Sequence, residues 1–176
     1  MTPQTVPDAL CHTRVRIPAP DGGTTFDWKT VSTGDLFAGR RIVLFALPGA
    51  FTPACSETHL PGYERLHDQI IAEAIDEVLC LSVNDAFVMG QWGRALEIDK
   101  VRMLPDGNGT FTRLMGMLVD RSAQGMGLRS WRYSMVVEDR KITRLFAEPG
   151  FQDSPPGVPV TLSGAETMLA HLRGGQ

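Results

Sequence analysis

The residues Arg41-Ile-Val-Leu-Phe-Ala-Leu47 form an almost unbroken apolar run that halts at Pro48-Gly49. A strand with one wet face alternates apolar and polar residues, so a continuous run reads as a strand buried on both faces. Such a strand needs a covering layer on each side. A second run of this kind, Glu77 to Val83, follows, and between the two Leu66, Ile70, Ile71 and Ala74 recur at helical spacing. Strand, helix, strand with both strands buried points to an α/β sheet covered by helices.

The rest of the chain fits that layout. The first twenty or so residues run extended into a turn at Pro18-Ala-Pro-Asp-Gly-Gly23, Thr24 to Val31 alternates like a strand, and Asp35 to Ala38 makes a helical turn. A helix is expected from near Thr52, with a break at Pro61-Gly62 before it resumes through Tyr63 to Ala74. Asn84 or Asp85 can cap a helix carrying Phe87, Val88, Trp92 and Leu96. Val101 to Leu104 reads as a short strand closed by Pro105-Asp-Gly107, and Thr110 to Met117 as helical. Arg132 to Glu138 and Lys141 to Ala147 form a hairpin across Asp139-Arg140, and Ser163 to Leu172 is a last helix. With no internal repeat and no low-complexity linker, residues 1–176 read as one domain. The expected fold is α/β and thioredoxin-like, a central mixed β-sheet flanked by helices. A doubly wound sheet is the alternative, but no Gly-x-Gly-x-x-Gly follows a strand.

Seventeen Lys plus Arg face twenty Asp plus Glu, a net charge of -3, with the basic residues scattered. That argues against a nucleic-acid partner. No run of about 18 apolar residues is present to span a membrane, and the first residues lack both a basic start and an apolar stretch, so a cytoplasmic location is expected. Three cysteines, an odd count in a chain 43% apolar, do not suggest a disulfide framework. Each thiol needs its own explanation.

Cys55 has the clearest one. The buried strand delivers the chain through Pro48-Gly49 into a turn, Thr52 stands where a helix N-cap belongs, and Pro53 takes the favoured first helical position. Cys55 then falls in the first helical turn. Unpaired backbone N–H groups and the positive end of the helix dipole lie there, and both favour a thiolate over a thiol. An unpaired cysteine is more often a buried filler, but position after a strand and inside Thr-Pro-x-Cys reverses that preference.

The string PGAFTPACSETHLPGY, Pro48 to Tyr63, resembles the active-site segment of peroxiredoxins. LCLSVNDAFVMGQW, Leu79 to Trp92, and GLRSWRYSMVVED, Gly127 to Asp139, are similar to the plant-like and bacterial type II (peroxiredoxin 5) subfamily, and the match runs in order over roughly Phe26 to Leu172. The resemblance implies a thiol peroxidase in which Cys55 attacks the peroxide and becomes a sulfenic acid. Pro48 shields it, Thr52 hydrogen-bonds sulfur and peroxide, and Arg132 is the active-site arginine. Arg129, close by on the same expected strand, is a supporting residue. Phe51, Met126 and Leu128 make an apolar wall beside the peroxide. The chemistry needs these donors, because attack on the O–O bond pushes negative charge onto the departing oxygen.

The sulfenic acid must then meet a second thiol. Some type II members carry a resolving cysteine near the carboxyl terminus, where this chain reads Val160-Thr-Leu-Ser163. Cys80 matches a cysteine of plant-like members but lies in a buried run, and Cys11 reads as a neutral surface thiol near the amino terminus. An external reductant is therefore expected, glutathione with glutaredoxin first and thioredoxin second. The resemblance also implies a homodimer, formed near Phe51, Phe87 and Trp92. His12, His59, His67 and His171 show no metal spacing, and no metal or cofactor is expected; His59 stands at helical spacing i, i+4 from Cys55, where it can tune the thiolate, but reads as a surface or interface residue. A thiol-disulfide oxidoreductase would want Cys-x-x-Cys, whereas Cys55-Ser-Glu-Thr58 lacks the second thiol. A non-catalytic interaction module of the same fold is the other alternative.

Overall fold

A computed structural model describes residues 3–174. The chain opens with the antiparallel hairpin β1 (Leu10–Pro18) and β2 (Thr24–Ser32), then the short helix α1 (Thr33–Phe37). Next come β3 (Arg41–Ala46), a π-helical turn (Cys55–His59) running into α2 (Leu60–Ile71), and β4 (Glu77–Ser82). They are followed by α3 (Ala86–Ala95), β5 (Arg102–Pro105), α4 (Thr110–Leu114) and the small hairpin β6 (Leu118–Asp120) and β7 (Leu128–Ser130). The hairpin β8 (Tyr133–Glu138) and β9 (Lys141–Ala147) and the helix α5 (Ala165–Leu172) complete it.

The central sheet has five strands in the order β5-β4-β3-β8-β9. β3 pairs parallel with β4, and β4 with β5, while β8 joins antiparallel to β3 on its other side. The sheet is thus mixed and thioredoxin-like. β3 and β4 lie at its centre, which is why both read as continuous apolar runs. Asp139 and Arg140 take positive φ of 44° and 68°, the twist a two-residue hairpin needs.

Alternate residues of the sheet feed two cores. Ile42, Leu44, Leu79, Leu81 and Met135 face the N-terminal hairpin side, where Phe37, Phe111 and Trp131 pack. Val43, Phe45, Val78, Cys80 and Val136 face the opposite layer, with Leu60, Tyr63, Leu66 and Ile70 of α2, Trp92 of α3 and Met168 of α5. Phe45 and Tyr63 stack with centroids 4.0 Å apart, an arrangement that adds about 1 kcal/mol beyond the area it buries. Cys55 belongs to this second core.

The break expected at Pro61-Gly62 does not occur. Pro61 has no N–H to give the carbonyl four residues earlier, and its ring crowds that carbonyl. The chain widens there instead, with Leu60 N–H bonding Cys55 C=O in a five-residue step, and continues into α2 without a gap.

Candidate active site

β3 ends where Pro48 and Gly49, both buried, turn the chain toward the next helix. Three bonds hold that turn. Asn84 Oδ1 accepts from Ala50 N–H at 3.0 Å, Thr52 N–H reaches Gly49 C=O at 3.4 Å, and the Thr52 hydroxyl donates to the same carbonyl at 2.7 Å. Phe51 between them adopts a left-handed φ of 61°, rare for a bulky residue and tolerated where neighbouring bonds over-determine the backbone. Asn84 was one of two cap candidates for α3; the cap is Asp85, which accepts from Phe87 and Val88 N–H and frees Asn84 for the turn.

Helical winding starts at Pro53, and Ser56 N–H bonds Thr52 C=O at 3.0 Å. Cys55 therefore sits at the head of the helix, ahead of the regular ladder. Its side chain is fully buried. Arg132 Nη2 donates to Cys55 Sγ at 3.5 Å.

Arg132 is itself only 3% exposed and lies in the link between β7 and β8. Its Nε donates to Val158 C=O at 3.0 Å and its Nη1 bonds His59 Nδ1 at 3.1 Å. None of the ion pairs among the described residues includes it. Burying a guanidinium without a carboxylate costs several kcal/mol unless other groups meet its donors, and here they are Val158 C=O, His59 and the sulfur of Cys55.

His59 corrects the surface reading. It is 1% exposed, and its Nε2 lies 3.0 Å from Ser163 C=O. A carbonyl can only accept and a guanidinium can only donate, so Nε2 carries the proton and Nδ1 is the acceptor. Burial, then the charge of Arg132, pushes the His59 pKa down to about 3. The ring is a neutral bracket for Arg132. Tyr63 Oη shares the Ser163 carbonyl at 2.9 Å.

Glu148 fixes the segment that supplies that carbonyl. Its carboxylate accepts from the N–H groups of Thr161, Leu162 and Ser163 and from the Ser163 and Thr161 hydroxyls. Burial pushes its carboxyl up, but these donors outweigh burial and hold it below its usual range.

The Redoxin family model matches residues 15–169. A peroxiredoxin of Synechocystis is 53% identical over 100% of this chain and 93% of that one. The chain belongs to the peroxiredoxin family. Peroxiredoxin-2D of Arabidopsis thaliana is 36% identical over 98% of this chain and 100% of its own, in line with the type II resemblance. Among solved structures, the Plasmodium falciparum antioxidant protein, described as a 1-Cys peroxiredoxin, superposes with a TM-score of 0.90 at 34% identity, covering 97% of this chain and 98% of that one. This peroxiredoxin is a thiol-dependent peroxidase with the thioredoxin-like fold of its relatives.

The remaining predicted positions of this peroxiredoxin divide. Phe51 and Leu128 are 59% and 54% exposed, and Met126 is half-buried. Arg129 and Arg132 do not share a strand: Arg129 lies on β7, opposite Val119, and Arg132 in the irregular link that leads to β8. Arg129 Nη1 nonetheless reaches the Cys55 turn, since a Cβ added at Gly49 would meet it at 2.9 Å. Cys11 is no surface thiol but lies buried on β1, with its pKa pushed up to about 12, first by burial and then by Asp106. Cys80 is fully buried on β4 in the same core as Cys55, and burial, followed by the charge of Cys55, raises its pKa well above the usual range. Trp92 is fully buried and donates its indole N–H to Ser56 Oγ at 3.0 Å, so it is unavailable to an interface as long as the fold holds. Among the described residues no helix is long and apolar enough to cross a membrane, and no cluster of His, Cys, Asp or Glu is placed to hold a metal.

Proposed function

We propose that Cys55 is the peroxide-reducing nucleophile and that Arg132, Thr52 and Pro48 complete its site. The observation that carries this reading is the buried Arg132 guanidinium donating to Cys55 Sγ with no carboxylate partner of its own. The Cys55 thiolate attacks the nearer peroxide oxygen, a sulfur–oxygen bond forms and the O–O bond breaks. Sulfur loses two electrons, and the departing oxygen leaves as water or an alcohol once it has taken up a proton. Arg132 stabilises the negative charge on that oxygen as it develops, and charge stabilised only in the transition state lowers the barrier. The Thr52 hydroxyl spends its proton on Gly49 C=O. Its lone pairs therefore accept the peroxide O–H rather than donating to it, which orients the O–O bond toward sulfur. Pro48 closes the buried side, and Phe51, Met126 and Leu128 form the apolar rim.

An external thiol recycles the enzyme in this reading, since Cys80 and Cys11 are held on strands and neither is bonded to Cys55. The thiol attacks the Cys55 sulfenic sulfur and expels water, and a second thiol releases the mixed disulfide. Glutathione with glutaredoxin is the first candidate reductant and thioredoxin the second, in a cytoplasmic setting that keeps the three thiols reduced. A homodimer packs through the rim, where Phe51 and Leu128 are exposed, and through the edge-to-face pair Trp28 and Phe87, 5.3 Å apart and both more than half exposed.

Stopped-flow mixing of the reduced protein with hydrogen peroxide, quenched with dimedone and mapped by mass spectrometry, tests the assignment. Stoichiometric labelling on Cys55 is expected. Labelling on Cys80 or Cys11 in its place would move the chemistry elsewhere.

A further inference from the structure

Three arginines bear on Cys55, and its sulfur meets only one of them. Arg121, Arg129 and Arg132 take part in none of the ion pairs among the described residues. Arg132 is accounted for by Cys55, His59 and Val158. The other two belong to the β6–β7 hairpin, Arg121 just past β6 and Arg129 on β7. Arg129 spends Nε on Met126 C=O at 2.8 Å and lays its Nη1 against Gly49 of the Cys55 turn, 3.4 Å from Val83 C=O. Arg121 follows β6 directly, with its backbone N–H on Gly127 C=O at 2.8 Å. Its side chain is 9% exposed and donates Nη2 to Pro155 C=O at 3.3 Å, while Nε is buried without a partner.

A buried donor left unmade costs about 1–3 kcal/mol, and close like charges add repulsion. Burial lowers the pKa of both Arg121 and Arg129; the charge of Arg132 bears on Arg121 in the same sense, that of Arg121 on Arg129, and that of Cys55 opposes the shift in both. Hydrogen peroxide and simple alkyl hydroperoxides carry no charge, so the main reaction does not use this excess of cations. A carboxylate would, because its two oxygens match the fork of a guanidinium and it satisfies an unpaired donor and neutralises charge together.

We propose that Arg121 and Arg129 form a carboxylate subsite beside Cys55, holding the acid group of a reactant whose other end meets the sulfur. The proposal rests on Cys55 being the reacting atom. Two reactants could bring the carboxylate, the peroxide or the reducing thiol, and the test separates them.

The first arm compares 3-hydroperoxy-3-methylbutanoate with its methyl ester for the rate of Cys55 oxidation. The second compares 3-mercaptopropionate with its methyl ester for reduction of preformed Cys55 sulfenate. In at least one arm the acid should outpace the ester, with the acid-to-ester ratio falling about tenfold in Arg121→Gln, the loss of one charge-assisted bond, and further in Arg121→Gln/Arg129→Gln. Added 0.5 M chloride should lower the ratio as well. A ratio near one in both arms, or one unmoved by the double variant, while the esters still turn over, overturns the subsite alone. Failure of every peroxide to oxidise Cys55 overturns the peroxidase assignment and the subsite with it.

Discussion

His59 accepts a hydrogen bond from Arg132 at 3.1 Å and donates one to the Ser163 carbonyl at 3.0 Å, a pairing that leaves the imidazole no other tautomer. The ring thereby aims the guanidinium at sulfur. Replacing His59 with Leu strands a buried donor of Arg132, and a loss of about 1–3 kcal/mol in its positioning predicts oxidation of Cys55 slowed by about tenfold or more. His59→Asn, whose Oδ1 can occupy the Nδ1 position, should recover part of the rate. Equal loss in both variants, measured by stopped flow, would reduce His59 to a packing residue.

The same burial makes a pH prediction. The folded protein holds His59 neutral down to about pH 3, whereas the unfolded chain protonates it near 6.5. A depressed folded pKa contributes stability that is present above the unfolded value and is lost as pH falls toward the folded one. Between pH 6.5 and 3 the unfolded state takes up a proton the folded state refuses, and stability drops by up to about 1.4 kcal/mol per pH unit. Urea midpoints at pH 7 and pH 5 should draw together in His59→Asn relative to the wild type.

Arg132→Met should slow sulfenate formation by about 10²–10³-fold, the loss typical of one aimed donor at a developing oxyanion. Arg132→Lys should recover little, since an ammonium cannot reach Val158, His59 and Cys55 from one planar group. An unchanged second-order rate with hydrogen peroxide would shift the role to Arg129.

Cys55→Ser should abolish turnover, and Cys80→Ala and Cys11→Ala should retain most of it with glutathione and glutaredoxin supplied. Intact mass after one equivalent of peroxide should show no internal disulfide. A Cys55–Cys80 bond under native conditions would make Cys80 the resolving thiol.

Light scattering on the reduced protein should give twice 19.3 kDa, with Phe51→Ser and Phe87→Ser shifting it toward one chain. A monomeric mass together with full activity would sink the dimer.

Much of the frame was legible because its signals are local. The apolar run of β3 and its stop at Pro48-Gly49, the hairpin about Asp139-Arg140 and the helix head carrying Cys55 each lie within a dozen residues. What escaped depends on distant partners. His59 meets Ser163 across 104 positions and Arg132 across 73, and neither partner can be read from its neighbours in sequence. One signal was available: Cys55, His59 and Tyr63 stand four apart, so a helix carrying a buried Cys55 and a buried Tyr63 would bury the histidine between them. Glu148 looks like an ordinary loop residue and Asn84 like a helix cap, and both act through backbone N–H and hydroxyl groups that the fold brings to them. The three-residue strands β6 and β7 are too short for alternation to mark, which is why Arg129 was drawn onto the wrong strand.

The π turn between Cys55 and His59 also sets a phase. A regular helix carries each fourth residue about 40° further round its axis, so Cys55, His59 and Tyr63 would fan away from one another. The wide turn winds part of that angle back, keeping imidazole and phenol both against Phe45, whose ring centroid lies 5.0 Å from His59 and 4.0 Å from Tyr63. In length, the turn amounts to a one-residue insertion into the helix. Deleting Glu57 or Thr58, both solvent-exposed, would remove no contact of the site yet would rotate Cys55 by about a quarter turn relative to α2, carrying it away from Arg132.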